Sequence, residues 1–279
     1  TMASDENRWP ILLAVIVPTF TVTLAVCIAL IFTHRHYKRA LTAADYIIIF
    51  AMFADAISFA LITAGVGRGF GKHTSAIPNG TADLSTISNL LLGALLAGAI
   101  SSGLARISIA SRLLRLESIC WKRLILWTII VLQILSTIAY EIMQPFQCKD
   151  RITSQSRVSE RCLDRQQVLT SSYISIGICS LGDSICAIIS ICLIYPLSLP
   201  RREKVLVIIL MMLCLLATVC GIPKIYYVRT YNQNTSDPTW ELIPETVFYE
   251  VEQGLIIIAA CAPSLKRPVE KALKWLGLP

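Results

Sequence analysis

Long apolar stretches alternate with short polar connections along the whole chain. Each apolar stretch is about 20–25 residues long, which matches a hydrocarbon core of about 30 Å at 1.5 Å of helix rise per residue. Seven such stretches are present, at residues 9–33, 43–66, 84–112, 121–143, 168–195, 204–228 and 241–262. The pattern therefore predicts an all-α, seven-transmembrane helix bundle in which residues 1–279 form a single membrane domain.

The charged residues between these stretches predict the orientation of the bundle. Basic side chains concentrate in the connections at 34–42, 112–123 and 201–204, and again at 266–274. By the positive-inside rule these segments are cytoplasmic, so the N-terminus is outside or lumenal and the C-terminus is cytoplasmic. Leucines and a valine alternate with lysines across residues 264–277, which predicts a short C-terminal amphipathic helix on the membrane surface.

The composition agrees with a protein whose main partner is the lipid bilayer. Hydrophobic residues make up 55% of the chain, and the mean hydropathy is +0.65. The net charge of +7 is carried by the connections, and no basic stripe is interleaved with aromatics, so no nucleic-acid partner is expected. No Cys/His spacing of a metal site is present, and we expect neither a metal nor a cofactor.

Two of the ten cysteines, Cys148 and Cys162, lie in a connection predicted to face an oxidising compartment. A disulfide between them would close a loop of roughly 15 residues and contribute about 3 kcal/mol by the chain-entropy estimate. Most of the other cysteines lie in apolar stretches, where a small buried thiol is the ordinary expectation.

Several ionisable residues lie inside the apolar stretches, where each costs about 2.5–3.5 kcal/mol on insertion scales. They are Asp55, Asp183, Lys224, Glu250 and Glu252. Such residues either serve a functional site or pair with one another to fix the register of the helices. For Asp55, lining a cavity and bonding to a neighbouring helix are equal alternatives.

Arg106, in the third stretch, also has two interpretations. Its guanidinium either extends to the lipid headgroups or contacts a ligand. Small residues precede it on the same predicted helix and favour close approach of a neighbouring helix; they are Gly93, Ala97, Gly98, Ser101, Ser102 and Gly103.

Spacing in the last stretch predicts which side chains share a face. Glu241, Glu245, Tyr249 and Glu252 follow one another at intervals of four, four and three residues, so they form one stripe on a helix. Glu250 points nearly opposite to Glu252. We therefore expect the two glutamates not to face the same cavity, and one of them to pair with a neighbouring helix.

Several short motifs resemble those of the fungal rhodopsin-like integral membrane family, which includes Pth-type receptors and satratoxin-cluster membrane proteins. In order they are Asp45-Tyr46, Gly69-Phe70-Gly71-Lys72-His73, Arg106-Ile107-Ser108 with Arg115, the two loop cysteines, Asp183, Asp237-Pro238-Thr239-Trp240, Glu252 and Ala262-Pro263. Together they cover nearly all seven predicted spans. The chain departs from the family pattern at Ala44, at Lys224, and at Ser190 and Cys192.

The resemblance implies two classes of function. One is a membrane enzyme of secondary metabolism, a cofactor-independent cyclase (pericyclase-like or Diels-Alderase-like) that acts on a lipophilic terpenoid or polyketide intermediate in the endoplasmic reticulum or another endomembrane. The alternative is a G-protein-coupled-receptor-like protein of the plasma membrane that senses a small hydrophobic ligand and has a G protein as its partner. The last stretch holds no lysine for a retinal Schiff base.

The enzyme is favoured because charged groups inside an apolar chamber can polarise a substrate that is held in a reactive shape. In this hypothesis Lys224 or a protonated Glu252 donates a hydrogen bond to a substrate carbonyl, while Asp183 orients or pairs with Lys224. The expected substrate-binding residues are Trp240, Tyr227, Tyr249, Asp55, Glu245 and Arg106.

Overall fold

The computed structural model describes residues 7–36, 42–73, 81–116, 119–143, 165–194, 212–213, 215–224, 226 and 238–262. Within these ranges the chain forms seven helices and no β-strand, which confirms the all-α prediction. The helices are α1 (Trp9–His36), α2 (Ala43–Gly67), α3 (Thr81–Leu116), α4 (Cys120–Met143), α5 (Arg165–Ile194), α6 (Leu215–Lys224) and α7 (Pro238–Cys261).

Five helices, α1 to α5, are long and apolar enough to cross a membrane. The described part of α6 is shorter than the roughly 20 residues that a bilayer core requires. Helix α7 is 24 residues long but carries four glutamates, at positions 241, 245, 250 and 252. Spans six and seven, and the orientation of the bundle, therefore remain predictions.

Small and hydroxyl-bearing residues join α2 to α3. The hydroxyl of Ser101 donates to the carbonyl of Ala51 at 2.8 Å, and that of Ser108 donates to the carbonyl of Ala44 at 2.9 Å. Hydrogen bonds of this kind, together with close backbone approach, hold helices together where lipid offers no hydrophobic driving force. The close approach predicted from the small residues of α3 is confirmed.

Helix α7 approaches α3 closely at Gly98. A Cβ atom at this glycine would lie 2.6 Å from Cε1 of Tyr249 and 2.7 Å from Oε1 of Gln253. The Tyr249 hydroxyl passes this point and donates to the carbonyl of Leu95 at 3.1 Å. Only a residue without a side chain leaves room for the tyrosine ring here, so Gly98 sets the distance between the two helices.

Two apolar clusters form the core, and buried polar residues lie between them along α2 and α7. One cluster is centred on Leu12, Ile16, Ile62, Phe70, Ile87 and Ile243. The other includes Leu30, Ile48, Ile109, Leu126, Ile256 and Ile257. On α7 the polar residues Glu245, Glu250, Glu252 and Gln253 thus lie between Ile243 and Ile256, which places a polar layer inside an otherwise apolar bundle.

At one end of the bundle, the turn after α2 connects α1 to α7. The backbone N–H of Arg8 donates to the carbonyl of Gly71 at 3.1 Å, and the Arg8 guanidinium lies 4.3 Å from the centroid of the Trp240 ring. The His73 ring stacks on the same Trp240 at 4.2 Å. Gly71 has φ of +92°, and a Cβ there would lie 2.9 Å from the backbone N of Trp9, so a glycine is required.

At the other end, Asp45 connects α1, α2 and α3. Its carboxylate accepts hydrogen bonds from the backbone N–H of Thr42 at 2.8 Å and from the Thr42 hydroxyl at 2.6 Å, which satisfies the start of α2. Nη2 of Arg112 lies 2.6 Å from the same carboxylate, and Nε2 of His34 lies 3.5 Å from it.

Several predictions fall on residues outside the described ranges. These are the disulfide between Cys148 and Cys162, the side chain of Tyr227 and the amphipathic helix at 264–277. The described cysteines, which are Cys27, Cys120, Cys179, Cys186, Cys192, Cys220 and Cys261, form no disulfide with one another.

Candidate functional site

Four charged side chains from four helices form one network inside the bundle. Arg106 of α3 donates through Nε to Oδ1 of Asp183 of α5 at 3.1 Å, and through Nη2 to Oε1 of Glu252 of α7 at 2.6 Å. Nζ of Lys224 of α6 donates to the other oxygen of Glu252 at 2.8 Å. The network therefore links α3, α5, α6 and α7.

The network is electrically balanced, because two cations meet two carboxylates. Arg106, Asp183 and Lys224 are 7%, 5% and 8% exposed, and the Glu252 side chain is 12% exposed. Charges withdrawn from water to this extent are tolerated only when they are paired and hydrogen-bonded. Arg106 suits its central place because its planar guanidinium can bind two carboxylates at once.

This arrangement bears on two expectations. Of the two alternatives for Arg106, extension to the headgroups is not observed, since its side chain is buried in the network. Asp183 was expected to orient or pair with Lys224, but it binds Arg106, and Lys224 binds Glu252. The physical reason is the length of the Arg106 side chain, which extends from α3 far enough to contact both α5 and α7.

A cavity of about 80 Å³, which we call the polar cavity, lies beside the network. Its walls include Arg106, Lys224, Glu245, Tyr249, Glu252 and Tyr140. Of the four residues of the stripe predicted on α7, Glu245, Tyr249 and Glu252 line this one cavity, and Glu241 is not among its lining residues. Nζ of Lys224 lies 4.4 Å from the centroid of the Tyr249 ring, a distance at which the ring face attracts the cation.

Lys224 and Glu245 retain hydrogen-bonding capacity toward the polar cavity. An ammonium group has three N–H donors, and Glu252 accepts from Lys224 in the one hydrogen bond described. Glu245 is half-buried, and its carboxyl group accepts no hydrogen bond from the residues that the structure describes. A molecule in the cavity can therefore meet a donor and an acceptor side by side.

A second cavity, which we call the apolar groove, runs between α4 and α5 and has a volume of about 560 Å³. Most of its surface is apolar and is formed by Leu132, Leu135, Ala139, Met143, Ile174 and Ile178, while the other seven of its thirteen lining residues, Gln166, Gln167 and Thr170 among them, carry polar groups. Tyr140 and Ser175 line both the apolar groove and the polar cavity. The two spaces are therefore neighbours that meet at these two side chains.

On the other face of α7, a separate polar cluster connects this helix to α2. The Ser58 hydroxyl contacts Oε1 of Glu250 at 3.0 Å, and the amide of Gln253 donates to Asp55. Glu250 and Glu252 therefore face different neighbours, as their spacing predicted. Of the two alternatives for Asp55, bonding to a neighbouring helix is the one observed.

The remaining predicted site residues lie elsewhere. Trp240 is held between Arg8 and His73 and is not among the residues that line the polar cavity or the apolar groove. Within the described ranges no group of three or more His, Cys, Asp or Glu side chains is arranged to hold a metal ion.

Sequence reasoning missed the cavity walls that α4 and α5 supply. Gln133, Thr137 and Tyr140 follow at intervals of four and three on α4, and Ser172, Ser175 and Cys179 follow at three and four on α5; all six line the polar cavity. The same helical spacing that revealed the α7 stripe would have revealed these two polar stripes.

Comparison with known proteins gives one match. The family model described as the fungal rhodopsin domain matches residues 29–271, which is most of the chain and includes every residue of the network. No curated protein and no solved structure matches the chain.

Proposed function

This chain belongs to the fungal rhodopsin domain family, and on that premise we propose that it is a membrane-embedded, cofactor-independent cyclase acting on a lipophilic terpenoid or polyketide intermediate. The observation that carries the proposal is that Lys224 and Glu245 line a polar cavity that adjoins an apolar groove. We place the reaction in the endoplasmic reticulum or another endomembrane.

The volumes favour a substrate that occupies both spaces. Ligand sites commonly measure about 300–1,000 Å³, so the 80 Å³ polar cavity has room only for a small polar group or several water molecules. The 560 Å³ groove is large enough for a hydrocarbon body. A polyene held in the groove would place one oxygen function past Tyr140 and Ser175, beside Lys224.

The proposed chemistry needs a positioned donor in a dry environment. The ammonium of Lys224 donates a hydrogen bond to a carbonyl oxygen of the substrate, which withdraws electron density from the conjugated system and lowers the barrier to ring closure. In an intramolecular cycloaddition, two new C–C σ bonds form as π bonds are consumed within the same molecule. No proton, electron or atom is gained or lost, and Lys224 keeps its proton.

The other charged residues of the network position this donor. Glu252 binds Lys224 and Arg106 at once, and Asp183 also binds Arg106, through Nε. In this assignment Glu252 and Asp183 are positioning residues, and Glu245 accepts a hydrogen bond from a substrate hydroxyl. The fixed geometry supports the proposal because a preorganised donor needs no rearrangement during the reaction.

The test is product analysis in yeast that expresses the protein together with the genes adjoining its own. We expect a cyclised product that is absent without the protein, and a fall in its rate of formation of roughly 10²–10³-fold in Lys224→Met, the loss typical of removing one such donor. Glu241→Gln, one helical turn from Glu245, is the matched control for Glu245→Gln. An identical product profile with and without correctly folded protein would refute the cyclase.

A receptor is the second candidate, and one observation favours it. The described end of α6 is joined to α7 through the hydrogen bond between Lys224 and Glu252. A ligand that displaced Lys224 from Glu252 would release α6 from α7, and a helix shift of this kind can begin signalling across a bundle. Saturable binding without any product, together with a G-protein response at the plasma membrane, would select the receptor.

A further inference from the structure

The charges around the polar cavity restrict the head group that it can accept. Both cations of the cavity, Arg106 and Lys224, are already bound to carboxylates, and Glu245 adds a further carboxyl group to the wall. An anionic head would add negative charge to a buried site that has no cation in excess among the described residues. Such a group would lose its hydration without gaining a full counterion.

A neutral head that both donates and accepts a hydrogen bond fits the same walls. A hydroxyl oxygen can accept from the ammonium of Lys224, while the hydroxyl hydrogen is donated to the carboxyl group of Glu245. The neighbouring wall residues are hydroxyl-bearing as well, and Thr137, Tyr140 and Ser175 are among them.

The apolar groove indicates the direction from which such a molecule arrives. Helices α4 and α5 are both long and apolar enough to span a membrane, and Leu132, Leu135 and Ile174 of the groove are exposed on their outer surface. Side chains exposed on a membrane span face hydrocarbon and not water. The groove therefore opens toward the lipid phase, and its inner end meets the polar cavity at Tyr140 and Ser175.

We propose that the ligand is a neutral, single-chain lipophile whose head offers a hydroxyl or carbonyl oxygen to Lys224 and a hydroxyl hydrogen to Glu245, and that it enters from the bilayer between α4 and α5. This inference rests on the proposed function for the use of the site, but it concerns binding alone. A carboxylate, a phosphate or a diphosphate of the same chain is excluded by the head-group site.

The first experiment compares two probes with the same fifteen-carbon prenyl chain, the alcohol farnesol and farnesyl phosphate, at pH 8. Binding to the full-length protein in nanodiscs is followed by intrinsic tryptophan fluorescence, with empty nanodiscs as the correction for partition into lipid. We expect farnesol to bind at least tenfold more tightly than the phosphate. Equal or tighter binding of the phosphate, or no saturable binding of farnesol, would overturn the proposal.

The role of Glu245 is tested by Glu245→Gln against Glu241→Gln. Removing the carboxylate from the cavity wall should lower the ratio of the Kd for farnesyl phosphate to the Kd for farnesol at least fivefold. The change at Glu241 should alter this ratio by less than twofold. An unchanged preference in Glu245→Gln would overturn the electrostatic part of the inference.

The access route is tested with a bulky residue in the groove. Ala139→Trp, with Ile174→Trp as a second blocking variant, should weaken farnesol binding at least tenfold. Ala25→Trp is the matched control, because Ala25 is also exposed on a helix surface but lies on α1. Full binding by either folded groove variant would overturn the route. None of these assays measures turnover. A protein that binds farnesol as expected but forms no cyclised product would refute the cyclase and leave the binding inference intact, so the two failures are distinguishable.

Discussion

Two glutamates on α7, only two residues apart, are expected to respond in opposite ways to the same substitution. Glu252 accepts hydrogen bonds from two cations, Nη2 of Arg106 at 2.6 Å and Nζ of Lys224 at 2.8 Å. Glu250 is contacted by the neutral hydroxyl of Ser58 at 3.0 Å, and no cation lies within ion-pair distance of it among the described residues. Replacing each glutamate by glutamine keeps the shape and removes the negative charge.

The expected loss of stability in each variant follows from the interactions that the substitution leaves unsatisfied. In Glu252→Gln the amide has one oxygen for two cations and turns an N–H₂ donor toward the other. Arg106 keeps Asp183 as its counterion, whereas Lys224 loses the carboxylate with which it is paired and is left as a buried charge. Breaking a buried ion pair in this way costs about 3–5 kcal/mol. In Glu250→Gln the amide can accept from the Ser58 hydroxyl or donate to it, so the hydrogen bond is kept and we expect a loss below about 1 kcal/mol.

The measurement is the free energy of unfolding in mixed micelles, followed by tryptophan fluorescence during titration with SDS. Adding Lys224→Met to Glu252→Gln removes the stranded cation, and we expect the pair to recover about 1–3 kcal/mol relative to the sum of the single changes. Equal losses in Glu250→Gln and Glu252→Gln would refute the reasoning, because the ion pairs would then contribute nothing beyond the polar contact.

Two further predictions concern the contacts between helices. Gly98→Ala should destabilise the bundle by about 1–3 kcal/mol, since the new methyl group meets side chains of α7 at 2.6–2.9 Å. Gly177→Ala is the control and should be neutral or slightly stabilising, because nothing lies within 4 Å of a Cβ there. Thermal unfolding distinguishes the two variants. Ser101→Ala removes an interhelical hydrogen bond to Ala51 and should cost about 0.6–1.7 kcal/mol. Ser102→Ala, whose hydroxyl bonds within its own helix, should cost less, and a smaller loss at Ser101 would contradict this assignment.

The helices and the family could be predicted because their signals are local. The apolar stretches beginning at 9, 43, 84, 121 and 168 correspond to α1 to α5, and the family resemblance is confirmed by the match over residues 29–271. The stripe of Glu245, Tyr249 and Glu252 was also predictable, because the helical repeat places residues three and four apart on one face. The glutamates of α7 are also the reason why this helix is not among those apolar enough to cross a membrane.

The site could be predicted only in part. Arg106, Lys224 and Glu252 were identified by their charge within apolar stretches, and all three line the polar cavity. The stripes that α4 and α5 contribute, with Tyr140 and Ser175, were missed because uncharged polar residues are common on ordinary helices and carry little signal alone.

The sequence by itself determined which stretches become α1 to α5, which face of α7 carries Glu245, Tyr249 and Glu252, and that several charges had to be compensated inside the bundle. Only the tertiary structure decided the partners: Arg106 binds Asp183, 77 residues away, and Glu252, 146 residues away, whereas Asp183 had been expected to pair with Lys224. Periodicity fixes the direction of a side chain around its own helix axis. Which charge it then meets depends on how the helices are arranged and how closely they approach, and residues distant in the sequence, such as Gly98, Ser101 and Tyr249, set that geometry together.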